Sequence, residues 1–127
     1  MKDKIVLITG ANRGIGKETT RALAKKGATI IMVCRNLGKS KSVCEMIQTE
    51  SKNPNIKVMK LDLASLKSIR NFTQEFTASY QKLNVLINNA GIFCMKREET
   101  EEGFEKMMGV NHLGHFLLTC ELLPILE

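Results

Sequence analysis

Residues 5–16, IVLITGANRGIG, decide how the chain folds. The apolar run 4–9 (KIVLIT) has the continuous hydrophobicity of a short strand buried on both faces. It enters a turn that holds Gly10, Gly14 and Gly16. Residues 14–26 then read as a helix with Ile15, Thr19, Ala22 and Leu23 on one side. Lys25 and Lys26 suit its last turn, and Gly27 suits its C′ position. A strand, a glycine turn and a helix in succession aim backbone N–H groups and the positive end of a helix dipole at one place, which suits phosphate. Gly10 permits the tight turn, Gly14 leaves room for a pyrophosphate, and Gly16 lets helix and strand approach closely. A glycine triplet by itself equally suits a strand–helix turn that binds nothing. The good strand before it and the good helix after it favour a dinucleotide.

The alternation continues outward from that turn. Residues 28–34 (ATIIMVC) read as a second strand, and 38–51 as a helix with Val43, Met46 and Ile47 inward. Residues 52–55 (KNPN) form a turn, and 56–61 (IKVMKL) a third strand. Ser65 is placed to cap a helix in which Leu66, Ile69, Phe72 and Phe76 recur at spacings of three and four. Residues 85–88 (VLIN) are a fourth strand. Residues 99–126 are helical in tendency, with a bend near Gly109 and Pro124 close to the end. Glu98, Glu99, Glu101 and Glu102 read as the first turn of that helix, where negative charge suits the dipole. The pattern predicts an α/β fold: a Rossmann-like, doubly wound parallel sheet of four strands in the order 3-2-1-4. Ligands of such sheets bind beyond the carboxyl ends of the strands, at the switch point beside the first strand.

The 127 residues suit one domain, and 43% hydrophobic with 25% charged content suits a folded, water-soluble chain. The net charge is +6, but Lys and Arg are scattered and one Tyr and five Phe offer little stacking surface. The charge therefore reads as a solvated surface with a local anion pocket, and no nucleic acid is expected as partner. The sequence holds no apolar run of about 18 residues and no room for a signal peptide before Ile5, so no membrane segment and a cytoplasmic location are expected. Cys34, Cys44, Cys94 and Cys120 show no paired metal spacing and read as reduced packing residues, with a place at the border of the pocket as the alternative for Cys94, which follows NNAGIF. His112 and His115 lack a suitably placed carboxylate or thiol and read as structural; Met107 and Met108 read as core filling, with a place near a greasy substrate as the alternative.

Four motifs stand in order: T-G-x-x-x-G-I-G from Thr9 to Gly16, LDL at 61–63, NNAG at 88–91 and VNHLGHFLL at 110–118. Together they resemble the short-chain dehydrogenase/reductase family, most closely its retinol dehydrogenase and WW-domain oxidoreductase branch. The resemblance implies hydride transfer between a nicotinamide dinucleotide and an alcohol or carbonyl, on retinoid- or steroid-like substrates. It implies that Gly10, Asn12, Arg13, Gly14, Ile15 and Gly16 form the cofactor loop. It implies that Asp62, beside Leu63, accepts from the adenine amino group, and that Asn89, Ala90 and Gly91 line the cofactor site. Asn111 stands at the position of the family's catalytic asparagine.

The residues also indicate which nicotinamide. An NAD enzyme usually carries Asp or Glu at the end of the second strand. Here Cys34, Arg35 and Asn36 stand there. Arg35 can fork onto a 2′-phosphate, Arg13 can reach the same group, and Lys39 can assist. NADP(H) is therefore expected over NAD(H). A proton donor is harder to find. The family uses a Tyr, a Lys four residues later, and a Ser. The one tyrosine, Tyr80, has Asn84 four residues on, and Lys82 is at the wrong spacing. The expectation is that residues 1–127 form the NADP(H)-binding half of a Rossmann domain, truncated, with the catalytic C-terminal half absent. Such a chain binds cofactor without turnover. The rival expectation is a naturally short, non-catalytic cofactor-binding or interaction module. Either way, the fourth strand becomes an edge, and the last helix, with Leu113, Phe116, Leu117, Cys120 and Leu123, loses cover. Homo-oligomerisation through one of these surfaces follows as an expectation.

Overall fold

The computed structural model describes all 127 residues. Strands β1 (Ile5–Thr9), β2 (Thr29–Cys34), β3 (Ile56–Lys60) and β4 (Val85–Ile87) form one sheet in the order β3-β2-β1-β4. Every pairing is parallel, with Ile5 opposite Thr29, Val6 opposite Val85 and Ile30 opposite Ile56. Parallel strands need crossovers, and the helices α1 (Gly14–Lys25), α2 (Leu37–Ser51) and α3 (Leu66–Ser79) supply them. The doubly wound architecture and its strand order are those the sequence predicts.

Side-chain alternation splits the core in two. Val6, Ile8, Ile30, Met32 and Cys34 point to one face with Ala24, Cys44 and Ile47 from α1 and α2. Leu7, Ile31 and Val33 point to the other, against Ile69, Phe72 and Phe76 of α3 and Leu118 and Leu122 of a later helix. Burying one such large side chain contributes about 1.5–3 kcal/mol. The polar residue Asn53 joins the layers: its amide donates to the carbonyls of Ala24 at 3.1 Å and Ala28 at 2.8 Å. Lys52 just before it takes a left-handed conformation, which makes the KNPN turn.

Four local expectations are corrected. The inward row of α1 is Gly16, Thr20 and Ala24, while Ile15 is 79% exposed and Ala22 faces water. Small residues win this face because the helix lies close to the sheet, so the apolar stripe is the wrong guide there. Residues 99–126 are not one helix. Residues 100–103 turn, and Glu99 bridges to Glu105 across them. Helix α4 (Lys106–Met108) begins only after Glu105, whose carboxylate accepts from the N–H groups of Met107 and Met108. The acidic run thus lies in the loop before the helix. A π-turn (Gly109–Gly114) follows, then α5 (His115–Leu122) and a 3₁₀ turn (Leu123–Ile125) containing Pro124. The bend anticipated near Gly109 is this π-turn. Met108 is 52% exposed and Met107 half-buried, so the pair does not fill the core.

β4 lies at the sheet edge, as expected, and its three residues are half-buried. The edge is occupied in part. Leu83, just before β4, donates to the carbonyl of Ile125 and accepts from the N–H of Glu127, both at 2.8 Å. No helix is long and apolar enough to cross a membrane.

Candidate cofactor site

The ends of β1, β2, β3 and β4 open onto one cleft of about 950 Å³. Its floor is the glycine turn. Gly10 has φ +63°, and a Cβ there would stand 2.9 Å from the Cα of Ala90, so only glycine lets β1 and the end of β4 meet. Gly16 is more restricted still. A Cβ would lie 2.3 Å from the Gly10 carbonyl oxygen and 2.5 Å from Nδ2 of Asn89. Gly14, at φ +58°, has nothing within 4 Å of its missing Cβ and borders open space.

The start of α1 is left bare. Arg13 occupies the N-cap in extended conformation and its side chain makes no capping bond. The α1 N-terminus therefore presents its positive end to the cleft without a protein partner, which suits an anion. Arg13, Arg35 and Lys39 all border the cleft. Asn36 also lines it, but its Oδ1 accepts from the Lys39 N–H at 3.2 Å, so this side chain caps α2. No carboxylate stands at the end of β2, where Cys34 is buried and its thiol pKa is raised by that burial.

The remaining wall comes from two segments. Asp62 and Leu63 follow β3 and line the cleft; Asp62 Oδ1 accepts from the Ala64 N–H at 2.9 Å, and Ser68 Oγ accepts from the Asp62 N–H at 3.0 Å. Asn89, Ala90 and Gly91 follow β4. The Asn89 amide donates to the carbonyls of Thr9 at 3.1 Å and Gly10 at 3.2 Å, so it supports the glycine turn from beneath.

Of the predicted cofactor residues, the structure brings Gly10, Asn12, Arg13, Gly14, Ile15, Arg35, Asn36, Lys39, Asp62, Leu63, Asn89, Ala90 and Gly91 to the cleft surface. Gly16 lies beneath it, where it sets the helix–strand approach. Asn111 does not line the cleft. Its side chain brackets Ile92, with Nδ2 donating to the Ile92 carbonyl at 2.9 Å and Oδ1 accepting from the Ile92 N–H at 2.8 Å. It thereby holds the chain leaving β4 against the π-turn. Tyr80 is remote: it ends α3 and stacks on Phe76 at 4.8 Å. No group of His, Cys, Asp and Glu is arranged to hold a metal.

Sequence reasoning missed two features. One is the loop 92–98, which contributes Ile92, Phe93 and Glu98 to the cleft beside Cys94, whose alternative reading as a pocket-border residue fits its place there; Glu98 also pairs with Lys106 at 3.7 Å. The other is a buried polar cluster behind the cleft. Thr9 Oγ1 accepts from the N–H groups of Asn89 and Ala90, both at 2.9 Å, and meets His115 Nε2 at 2.9 Å. His115 is structural, as its isolation from other ligands suggests, but its partner could not be read from sequence because it lies 106 residues away.

Comparison with known proteins agrees with this geometry. The family model described as short chain dehydrogenase matches residues 4–127. Retinol dehydrogenase 12 of Mus musculus is 51% identical over 124 residues, covering 98% of this chain and 39% of that protein. Retinol dehydrogenase 11 of Homo sapiens is 50% identical with the same coverage of 98% and 39%. The chain thus spans about 39% of the length of these relatives. Among solved structures, a Mycobacterium paratuberculosis protein superposes with TM-score 0.86 at 42% identity, over 98% of this chain and 43% of that one. A short chain dehydrogenase of Escherichia coli CFT073 complexed with NADPH superposes with TM-score 0.82 at 33% identity, over 98% and 54%.

Proposed function

Since the chain belongs to the short-chain dehydrogenase family, we propose that it is the NADP(H)-binding half of an oxidoreductase acting between an alcohol and a carbonyl. The observation that carries this is the bare N-terminus of α1 in a cleft bordered by Arg13, Arg35 and Lys39. A nicotinamide dinucleotide held there would supply hydride-transfer chemistry. The chain's own residues bind and orient. The α1 amides and Gly14 receive the pyrophosphate. Asp62 accepts from the adenine amino group. Arg35, joined by Arg13 and Lys39, pairs with the 2′-phosphate, and the absence of a carboxylate at the end of β2 removes the usual grip on a free ribose. Asn89, Ala90 and Gly91 close the wall at the β4 end, and Asn111 keeps that wall in place through Ile92. The similarity to retinol dehydrogenases supports a retinoid- or steroid-like substrate. A complex with NADPH among the structural neighbours supports the cofactor choice.

Turnover is not expected of these 127 residues. A proton donor must stand beside the developing alkoxide, and Tyr80, the one tyrosine, lies outside the cleft with Asn84 four residues on. Fluorescence titration tests the binding reading. Arg35→Asp weakens NADPH by ten- to a hundredfold, about 1.4–2.7 kcal/mol, and NADH by far less. Equal losses for the two cofactors would overturn the phosphate assignment. Reduction of a retinoid aldehyde by the purified chain would overturn the expectation of no turnover.

A second reading, a self-associating cofactor-binding module, is favoured by one surface. Phe116 (63% exposed), Cys120 and Leu123 (61% exposed) recur on the outer face from α5 into the 3₁₀ turn. Sedimentation decides it: a dimer that Phe116→Glu turns into a monomer supports association, and a monomer at high concentration removes it.

A further inference from the structure

We propose that His115 is a positioning residue for the cofactor cleft: as the neutral Nδ1–H tautomer it commits both Thr9 lone pairs to the 89–90 backbone, and its protonation releases that clamp and the dinucleotide with it. The clamp stands on the hydrogen-bond geometry alone; the dinucleotide rests on the function proposed above.

A threonine hydroxyl has one proton to give and two lone pairs. At Thr9 both lone pairs are taken, by the N–H groups of Asn89 and Ala90. The proton has one remaining partner, Nε2 of His115 at 2.9 Å. Nε2 must therefore be bare. Nδ1 then carries the ring proton and donates to the carbonyl of Asn111 at 3.3 Å. That carbonyl is within reach because of the π-turn: the backbone N–H of His115 bonds to His112 instead. The chain of bonds runs from the π-turn, through His115 and Thr9, to the residues that support the glycine turn and line the cleft.

Protonation of His115 breaks this arrangement. The new Nε2–H points at an oxygen that already accepts two hydrogen bonds and carries its own proton. One bond must go, and the candidates are those that hold Asn89 and Ala90. Ala90 stands against Gly10, and the Asn89 amide holds the Thr9 and Gly10 carbonyls, so the loss reaches the phosphate turn.

The surroundings keep the ring neutral. His115 is only 6% exposed, and burial lowers its pKa, opposed in lesser degree by the Asn111 carbonyl. β1 and β4 bring no titratable side chain to it. On α3, Lys67, Arg70 and Glu75 are all exposed. Asp62 before α3 is half-buried and bonded to Ala64. His112 in the π-turn and Cys120 and Glu121 on α5 are exposed; Lys106 on α4 and Cys94 after β4 are half-buried. None of these shifts His115. Because the folded pKa lies below the unfolded value of about 6.5, the contribution to stability is complete above that pH and is lost as pH falls toward the folded pKa.

The test is ¹⁵N imidazole NMR on the ¹⁵N-labelled 127-residue chain without cofactor. Expected are a His115 ring protonated at Nδ1 and bare at Nε2, and titration below the ordinary imidazole value of about 6.5. The Asn89 and Ala90 amide resonances should follow the His115 transition. An Nε2–H tautomer at pH 7.5, titration at or above the ordinary value, or amides that ignore the transition would each overturn the clamp. NADPH titrations test the coupling. Its Kd should rise as pH falls through the His115 transition, by no more than about tenfold per pH unit for one proton. His115→Gln, whose Oε1 can accept from Thr9 without titrating, should flatten that rise; an unchanged slope overturns the coupling. A chain that shows the NMR signature but binds no NADPH at pH 7.5 overturns the ligand assignment and leaves the clamp supported.

Discussion

Apart from α5, which continues directly from the π-turn, the helix N-termini of this molecule fall into two kinds. Asn36 caps α2 by accepting from the Lys39 N–H at 3.2 Å, and Ser65 caps α3 by accepting from the Ser68 N–H at 3.1 Å. Even short α4 has the Glu105 carboxylate at its start. At the same place α1 carries Arg13, with no side-chain cap. A capped end has its first amides satisfied by the protein and needs nothing else. An uncapped end beside an open glycine and a cation is held for something negative. The comparison separates helix starts that serve the fold from the one that, in the function proposed above, serves a ligand, and it can be broken at either kind.

The largest effect is expected where the bare end joins the sheet. Gly16→Ala places a methyl 2.3 Å from the Gly10 carbonyl oxygen, a backbone atom that cannot swing aside. A loss of about 3 kcal/mol or more is expected in chemical denaturation. The same change two residues earlier is the control. Gly14→Ala meets nothing within 4 Å and pays only for its positive φ, about 1–2 kcal/mol. Similar losses at the two positions would mean that helix and sheet are not in the close contact described here.

Next comes a substitution with two opposed effects. Arg13 is already in the extended conformation that a capping residue adopts. Arg13→Asp would cap α1 and raise stability by about 1 kcal/mol. It would also fill the anion site with a carboxylate and remove a cation, so NADPH affinity should fall at least tenfold, about 1.4 kcal/mol. Calorimetry and a binding titration on the same protein read both. A variant neither more stable nor weaker in binding would show that the α1 start is not held for an anion.

What could be read from sequence follows the range of the interactions. Strand positions and the glycine turn were legible because they rest on local periodicity and on backbone conformations that few residues adopt, and the strand order followed from the topology of doubly wound sheets. Ser65 as a cap was legible for the same reason. The inward face of α1 was not, because Gly16, Thr20 and Ala24 are selected by closeness to the sheet rather than by hydrophobicity. The acidic run before α4 misled because carboxylates also cap from loops: Glu101 bonds Ser65, and Glu102 accepts from the Leu66 N–H. Of the candidate site, the glycine turn, LDL and NNAG were visible as motifs and Arg35 and Lys39 as cations after β2, whereas Ile92, Phe93 and Glu98 of the loop 92–98 were not. Nor were the residues that brace the cleft from behind, since Thr9 meets His115, and Asn111 meets Ile92, only once the sheet and π-turn have formed.

The smallest effect tests the structural kind of helix start. Ser65 lies outside the cleft, at the head of a helix whose Phe72 and Phe76 are buried in the core. Its Oγ serves the Ser68 N–H and also meets Glu101, so Ser65→Ala removes a cap and loosens one tie to the loop before α4. About 1 kcal/mol of stability should be lost. NADPH affinity should stay as in the parent chain, because the neighbouring Asp62 keeps its own bonds to Ala64 and Ser68. If affinity fell together with stability, the α3 start would belong to the ligand site as well, and the division between capped and bare helix ends would not track function.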